Sequence, residues 1–229
     1  MKTLKSTFSI FFTLLLFKFS YGQDWPNLKR FQKQNAALAL PKPNENRVVF
    51  IGNSITEGWL NTRNDFFANK PYVNRGIGGQ TTPQMLIRFR QDVINLVPAV
   101  VVILAGINDI AENTGPSTIE MISDNIKSMA ELAKTNNIKV ILCSVLPAFN
   151  FPWRPEIEPV KKILKLNNLL KNYANKHHIV YLDYFSVMAD KSNALKKELS
   201  IDGVHPNIAG YLIMEPLVEK AIEKTLNQK

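Results

Sequence analysis

The sequence predicts an α/β fold, a three-layer α/β/α sandwich on a five-stranded parallel sheet. Three observations predict it. Five short apolar runs rich in β-branched residues recur along the chain. Stretches with apolar residues three and four positions apart separate them, as amphipathic helices require. The first three runs end in glycine, where a strand can turn sharply into a helix. Strict alternation of strands and helices favours a parallel sheet covered on both faces, with right-handed crossovers.

The first strand is RVVFIG (47–52) and the second PYVNRGIGG (71–79). The third, AVVVILAG (99–106), is continuously apolar, as a strand buried on both faces should be. KVILCSVLP (139–147) and HIVYLDYF (178–185) follow. A helix over Thr82 to Leu96 places Met85, Leu86, Phe89, Val93 and Leu96 on one side. Ser117 to Thr135 does the same with Ile119, Ile122, Ile126, Met129 and Ala133, and Pro159 to His177 with Ile163, Leu166, Leu170 and Tyr173. A last helix runs from Pro206 to Leu226.

The chain has 229 residues, which suits one domain with a sizeable core. Residues 1–22 read as a secretory signal peptide: Lys2 and Lys5, an apolar run from Phe8 to Phe17, then Ser20 and Gly22. The run is short for a membrane span and Lys18 interrupts it. A secreted or periplasmic protein without a stable membrane anchor is therefore expected. Residues 23–46 form a polar lead-in with a short helical piece ended by Pro41 and Pro43; the main domain is 47–229.

Without the leader, 25 basic residues face 19 acidic ones. The positive charge is scattered and not interleaved with aromatics, so nucleic-acid binding is not expected. An anionic polymer as neighbour or substrate stays open. The only cysteine, Cys143, lies in an apolar run, which excludes an internal disulfide and suggests a buried thiol. His177 and His178 sit at a helix end without metal-ligand spacing, and no metal is expected.

In a doubly covered parallel sheet, ligands bind beyond the carboxyl ends of the strands. Chemistry should therefore follow residues 52, 75, 105, 147 and 185. After the first strand comes GNSITEG, where Ser54 is a helix cap or a nucleophile at a helix N-terminus. The spacings of phosphate-binding glycine loops are absent. After the second comes RGIGGQTT, whose adjacent glycines allow close backbone approach. After the third comes AGINDI, where Asn108 either caps a turn or donates its amide to developing negative charge. Near the C-terminus, IDGVHPN holds Asp202 three residues before His205. A serine nucleophile needs a base, and an imidazole base needs an acceptor on its other nitrogen.

These four stretches, GNSIT, GIGGQTT, GIND and DGVH in that order, resemble the SGNH (GDSL-type) hydrolases. The resemblance spans Arg47 to the last helix. It implies a flavodoxin-like sandwich and a cofactor-free serine esterase. It implies Ser54 as nucleophile, Asp202 and His205 as the rest of a triad, and Ser54, Gly79 and Asn108 as oxyanion donors. Two positions depart from the usual pattern: Asn53 and Gln80 stand where the family commonly has aspartate, keeping hydrogen-bonding capacity but losing charge.

The substrate is less sharply marked. AFNFPWRPEIE follows the fourth strand, so Phe149, Phe151 and Trp153 could border the site, stacking on a sugar or lining a lipid groove, or could simply pack the loop. Trp59 could reach the cleft or pack beneath its helix. Export and a compact chain resemble the family's secreted acetylesterases, and NRGIGGQTT resembles its platelet-activating-factor acetylhydrolase branch. Both imply removal of a short acyl group, from an O-acetylated carbohydrate or another small ester. A lysophospholipase or thioesterase, or a non-catalytic carbohydrate-binding protein, is the alternative.

Overall fold

The computed structural model describes residues 23–228. The leader read at 1–22 lies outside the described residues. The elements run α1 (Gln32–Ala37), β1 (Val48–Gly52), α2 (Ser54–Thr62), α3 (Asn64–Phe67), β2 (Tyr72–Gly76), α4 (Thr82–Asp92), β3 (Val100–Leu104), α5 (Ile107–Ile110), α6 (Ile119–Thr135), β4 (Lys139–Cys143), α7 (Val160–Lys176), β5 (Val180–Leu182), α8 (Phe185–Met188) and α9 (Ile208–Asn227). Short 3-10 turns cover Ile94–Leu96 and Lys197–Leu199.

All five strands are parallel, in the order β2-β1-β3-β4-β5. Central β1 and β3 are buried at every residue, which explains why both read as unbroken apolar runs. Helices α4, α6 and α7 pack side by side on one face; α2 and α9 cover the other. The predicted strands and long helices are all present, trimmed by a few residues. The helix expected to reach Leu96 ends at Asp92 and continues as a 3-10 turn.

Register brings three loops to one edge. Gly52 at the end of β1 pairs with Gly76 at the end of β2 and with Leu104 at the end of β3. The strands also sit tightly under α2. A Cβ on Gly76 would stand 2.2 Å from the backbone nitrogen of Glu57, so only glycine lets β2 approach the first turn of that helix.

An aromatic cluster fills the space beneath α2. Trp59 is 1% exposed and stacks on Phe66 and on Tyr211 of α9, with ring centroids 5.1 and 5.6 Å away. Phe50 meets Trp59 edge-on. Trp59 is therefore a core residue rather than a substrate contact. Its helix face turns toward α9, which no local sequence pattern announces.

The lead-in is not a loose tail. The side chains of Gln80, Gln84 and Gln91 donate to the carbonyls of Pro26, Trp25 and Leu28, each at 2.7 Å. Asn35 of α1 donates to Asp92 at 2.7 Å and accepts from Arg75 at 2.8 Å. Residues 25–35 are thus stitched to α4 and to the end of β2.

Candidate active site

Ser54 opens α2. The preceding Asn53 is buried and caps the helix, accepting from the N–H of Ile55 at 3.2 Å. The residue replacing the family's usual aspartate thus has a local structural role that needs no charge. Ser54 Oγ lies 2.9 Å from His205 Nε2, and His205 Nδ1 lies 2.8 Å from Asp202 Oδ2. If the Nδ1 proton faces the carboxylate, Nε2 is left to accept from the serine hydroxyl. The three side chains predicted to meet are therefore joined in one chain of hydrogen bonds.

The 200–207 loop is built to hold that pair. Asp202 Oδ1 accepts from the backbone N–H groups of Val204 and His205 at 3.0 and 2.8 Å. Ser200 and Pro206 form a bridge across the loop, and Ile201 N–H donates to the His205 carbonyl at 2.9 Å. Gly203 takes a left-handed φ of 86° at the turn. Partial burial pushes the Asp202 carboxyl up, but the backbone and ring donors of His205 and the Val204 N–H outweigh it and hold it below its ordinary value. Asp202 thus stays a carboxylate facing the imidazole.

Gly79 has φ +74° and nothing near its missing Cβ, so its conformation needs glycine and its face is open. The neighbouring Gly78 donates its N–H to Glu57 Oε2 at 2.9 Å. A Cβ built on Gly78 would lie 3.9 Å from Ser54 Cβ, which places this loop directly beside the serine. Glu57, one helical turn after Ser54, is also paired with Arg30 of the lead-in at 3.1 Å.

Asn108 is buried in α5, and its amide donates to the Gln80 carbonyl at 3.0 Å. That uses one of its two amide hydrogens. The next residue, Asp109, is 1% exposed and was not singled out from the sequence. Its carboxylate accepts from the N–H of Thr82 at 2.9 and 3.0 Å and from the Thr82 hydroxyl at 2.6 Å. The loop after β3 is thereby tied to the start of the helix that follows Gly79. Burial pushes the Asp109 carboxyl up to about 6, against the pull of the Thr82 donors.

Gln80 shows why a neutral amide serves at its position. It donates to the Pro26 carbonyl and accepts from Arg88 Nε at 2.6 Å. An aspartate could accept from Arg88 but would turn an oxygen toward a carbonyl. Arg88 is fully buried, and it also reaches Asp92 and the Gly52 carbonyl, each at 3.1 Å. Burial lowers its guanidinium, while Asp92 opposes that shift.

The loop after β4 divides. Trp153 is 41% exposed, with its ring 6.0 Å from that of His205. Its indole N–H donates to Asn113 Oδ1 at 3.3 Å, and Asn113 donates to the Gly79 carbonyl at 3.4 Å. Phe149 is 60% exposed, on the same loop. Phe151 is fully buried and stacks beneath Trp153 at 5.4 Å, so it supports the tryptophan and does not face a ligand. Cys143 is buried, and burial pushes its thiol far up. Among the described residues, no group of three or more His, Cys, Asp or Glu side chains could hold a metal ion.

Known proteins resemble the chain over most of its length. The profile of the GDSL-like Lipase/Acylhydrolase family matches residues 50–213. A candidate acylhydrolase from Bacteroides fragilis is 54% identical, with a TM-score of 0.88 over 90% of this chain and 100% of that one. A GDSL-like lipase from Bacteroides thetaiotaomicron is also 54% identical, with a TM-score of 0.85 over 87% of this chain and 98% of that one. Platelet-activating factor acetylhydrolase IB subunit alpha2 from Homo sapiens is 29% identical over 91% of this chain and 92% of its own length. With the whole block order from Ser54 to His205 inside the matched region, the chain belongs to the GDSL-like lipase/acylhydrolase family.

Proposed function

We propose that this protein is an exported serine esterase that removes short acyl groups, acetyl above all, from O-acylated carbohydrate. The observation that carries the reading is the unbroken hydrogen-bond chain Ser54–His205–Asp202, at 2.9 and 2.8 Å, beside the Gly79 loop.

His205 takes the Ser54 proton as Oγ attacks the ester carbonyl, and Asp202 orients the imidazole and stabilises its charged form. The carbonyl oxygen becomes an oxyanion. The N–H groups of Ser54 and Gly79 and the free amide hydrogen of Asn108 are the donors suited to it. His205 then protonates the leaving alcohol, and the acyl group stays on Ser54. Water enters, His205 removes its proton, and the carboxylic acid leaves with Ser54 restored. Every step uses this chain's own residues.

Three features support a short acyl group on a sugar. The acetylhydrolase relative carries acetyl removal in its name. Trp153 and Phe149 offer exposed aromatic surface on the loop whose Trp153 approaches His205, and such faces suit sugar rings. The leader pattern at 1–22 fits export to where such polymers are met.

The test is hydrolysis of p-nitrophenyl acetate, butyrate and octanoate by the purified protein, alongside Ser54→Ala. Fastest cleavage of acetate, with a dead variant, supports the reading. Preference for octanoate replaces it with a lipid esterase. Equal inertness of both proteins on every ester removes the esterase assignment.

A further inference from the structure

A groove of about 540 Å3 opens between the lead-in and the loop that carries Gly79. Trp25, Asn27, Gly78, Gly79, Asn113 and Thr114 line it. Its size falls within the roughly 300–1,000 Å3 of ordinary small-molecule clefts. Gly78 and the oxyanion donor Gly79 form part of its wall, next to Ser54, while Ser54 and His205 do not line it.

Trp25 is 43% exposed, an unusual place for an indole on a short polar segment. Its backbone is nevertheless fixed. Its carbonyl accepts from Gln84, and the carbonyl of the next residue, Pro26, accepts from Gln80. Asp24 closes the turn by accepting from the N–H groups of Leu28 and Lys29 at 2.8 and 3.0 Å. A bulky ring is thus carried on a pinned turn, which is bonded to Gln80, the residue directly after Gly79.

The groove also adjoins the other exposed indole. Asn113 lines it, donates to the Gly79 carbonyl and accepts from the Trp153 N–H. Two tryptophans therefore stand near the Gly79 loop, Trp153 beside His205 and Trp25 on the lead-in.

We propose that this groove is a second sugar subsite, in which Trp25 stacks on the unit next to the one that bears the scissile ester. The inference rests on the carbohydrate-esterase reading and extends it from a single sugar to an oligosaccharide. An exposed indole flanked by amide and hydroxyl side chains has the mixed apolar and polar character of a sugar ring. A quaternary ammonium fits less well. Asp24 also lines the groove, but a quaternary ammonium is held by a cage of several rings, and Trp25 is the single ring among the lining residues.

The experiment compares kcat/KM of the protein, Trp25→Ala and Trp25→Phe on four substrates. These are p-nitrophenyl acetate, one acetylated methyl glycoside, acetylated two- to four-unit oligomers of that sugar, and an acetylated choline phospholipid. The readout is the ratio of oligomer to p-nitrophenyl acetate activity. The native protein is expected to gain about tenfold from one unit to two. Trp25→Ala should lose that gain, and Trp25→Phe should keep most of it. Equal ratios in all three proteins, or equal losses on every substrate, overturn the subsite. A selective loss on the choline phospholipid overturns its sugar assignment. Failure of the underlying reading looks different: the native protein cleaves p-nitrophenyl acetate but no acetylated sugar of any length.

Discussion

The backbone N–H of Gly78 donates to Glu57 Oε2 at 2.9 Å, and this bond holds the Ile77–Gly78 peptide, one before the peptide that carries the Gly79 N–H. Glu57 stands one turn after Ser54 on the same helix, so the helix that presents the serine also positions the glycine loop. Arg30 holds the other carboxylate oxygen at 3.1 Å. Glu57→Ala should therefore lower kcat about tenfold, a loss of about 1.4 kcal/mol in the transition state, with a smaller effect on KM. Glu57→Gln retains an acceptor and should recover most of it. Arg30→Ala should cost less than Glu57→Ala, because an exposed ion pair contributes only about 0–1 kcal/mol. Steady-state kinetics on p-nitrophenyl acetate checks all three.

Asn108 keeps one amide hydrogen free while the other holds the Gln80 carbonyl. Loss of a single such donor in a serine protease costs about 2.7–4 kcal/mol in the transition state. Asn108→Ala should accordingly reduce kcat by roughly 100- to 1,000-fold with little change in KM. A loss confined to KM would remove Asn108 from the oxyanion site.

Asp109 makes stability depend on pH in a definite direction. Its carboxyl is raised from 3.8 to about 6, so above that pH the buried charge is a net cost, on the order of 3 kcal/mol. The folded protein takes up the proton before the unfolded chain does. The cost is therefore relieved as pH falls from about 6 toward 3.8. Relative to Asp109→Asn, which cannot titrate there, the native protein should gain melting temperature between pH 7 and pH 4.5. Calorimetry of both proteins measures the difference, and a constant gap contradicts it.

Trp59→Ala should destabilise the fold by about 3–5 kcal/mol, as truncation of a large buried aromatic does. It stacks on Phe66 and Tyr211, and its other aromatic partners, Phe50 and Phe67, are buried too. Activity per folded molecule, measured below the melting transition, should fall far less than in Asn108→Ala. Chemical denaturation and kinetics on the same samples separate the two effects.

The contrast between Trp59 and Ser54 shows what the sequence made legible. Ser54, Gly79 and Asn108 each interrupt a strand-and-helix pattern just past an apolar run, and a parallel sheet puts all such points on one edge. Asp202 and His205 are close in sequence, so their meeting follows from a short turn. Trp59 was ambiguous because its partner Tyr211 lies at the other end of the chain. Asp109 was missed because its partner Thr82 is on another element, and a polar residue after Asn108 has no distinctive spacing. The docking of the polar lead-in is not legible in the sequence because its bonds to Gln80, Gln84 and Gln91 use backbone carbonyls, which leave no trace in residue type.

The central claim is that Ser54 is the nucleophile activated by His205. The most direct measurement is labelling of the folded protein with a fluorophosphonate, followed by mass spectrometry of its peptides. The account predicts one added phosphonyl group, on Ser54, absent from Ser54→Ala and strongly slowed in His205→Ala. A folded protein that takes up no label, or carries it on another serine, would contradict the account.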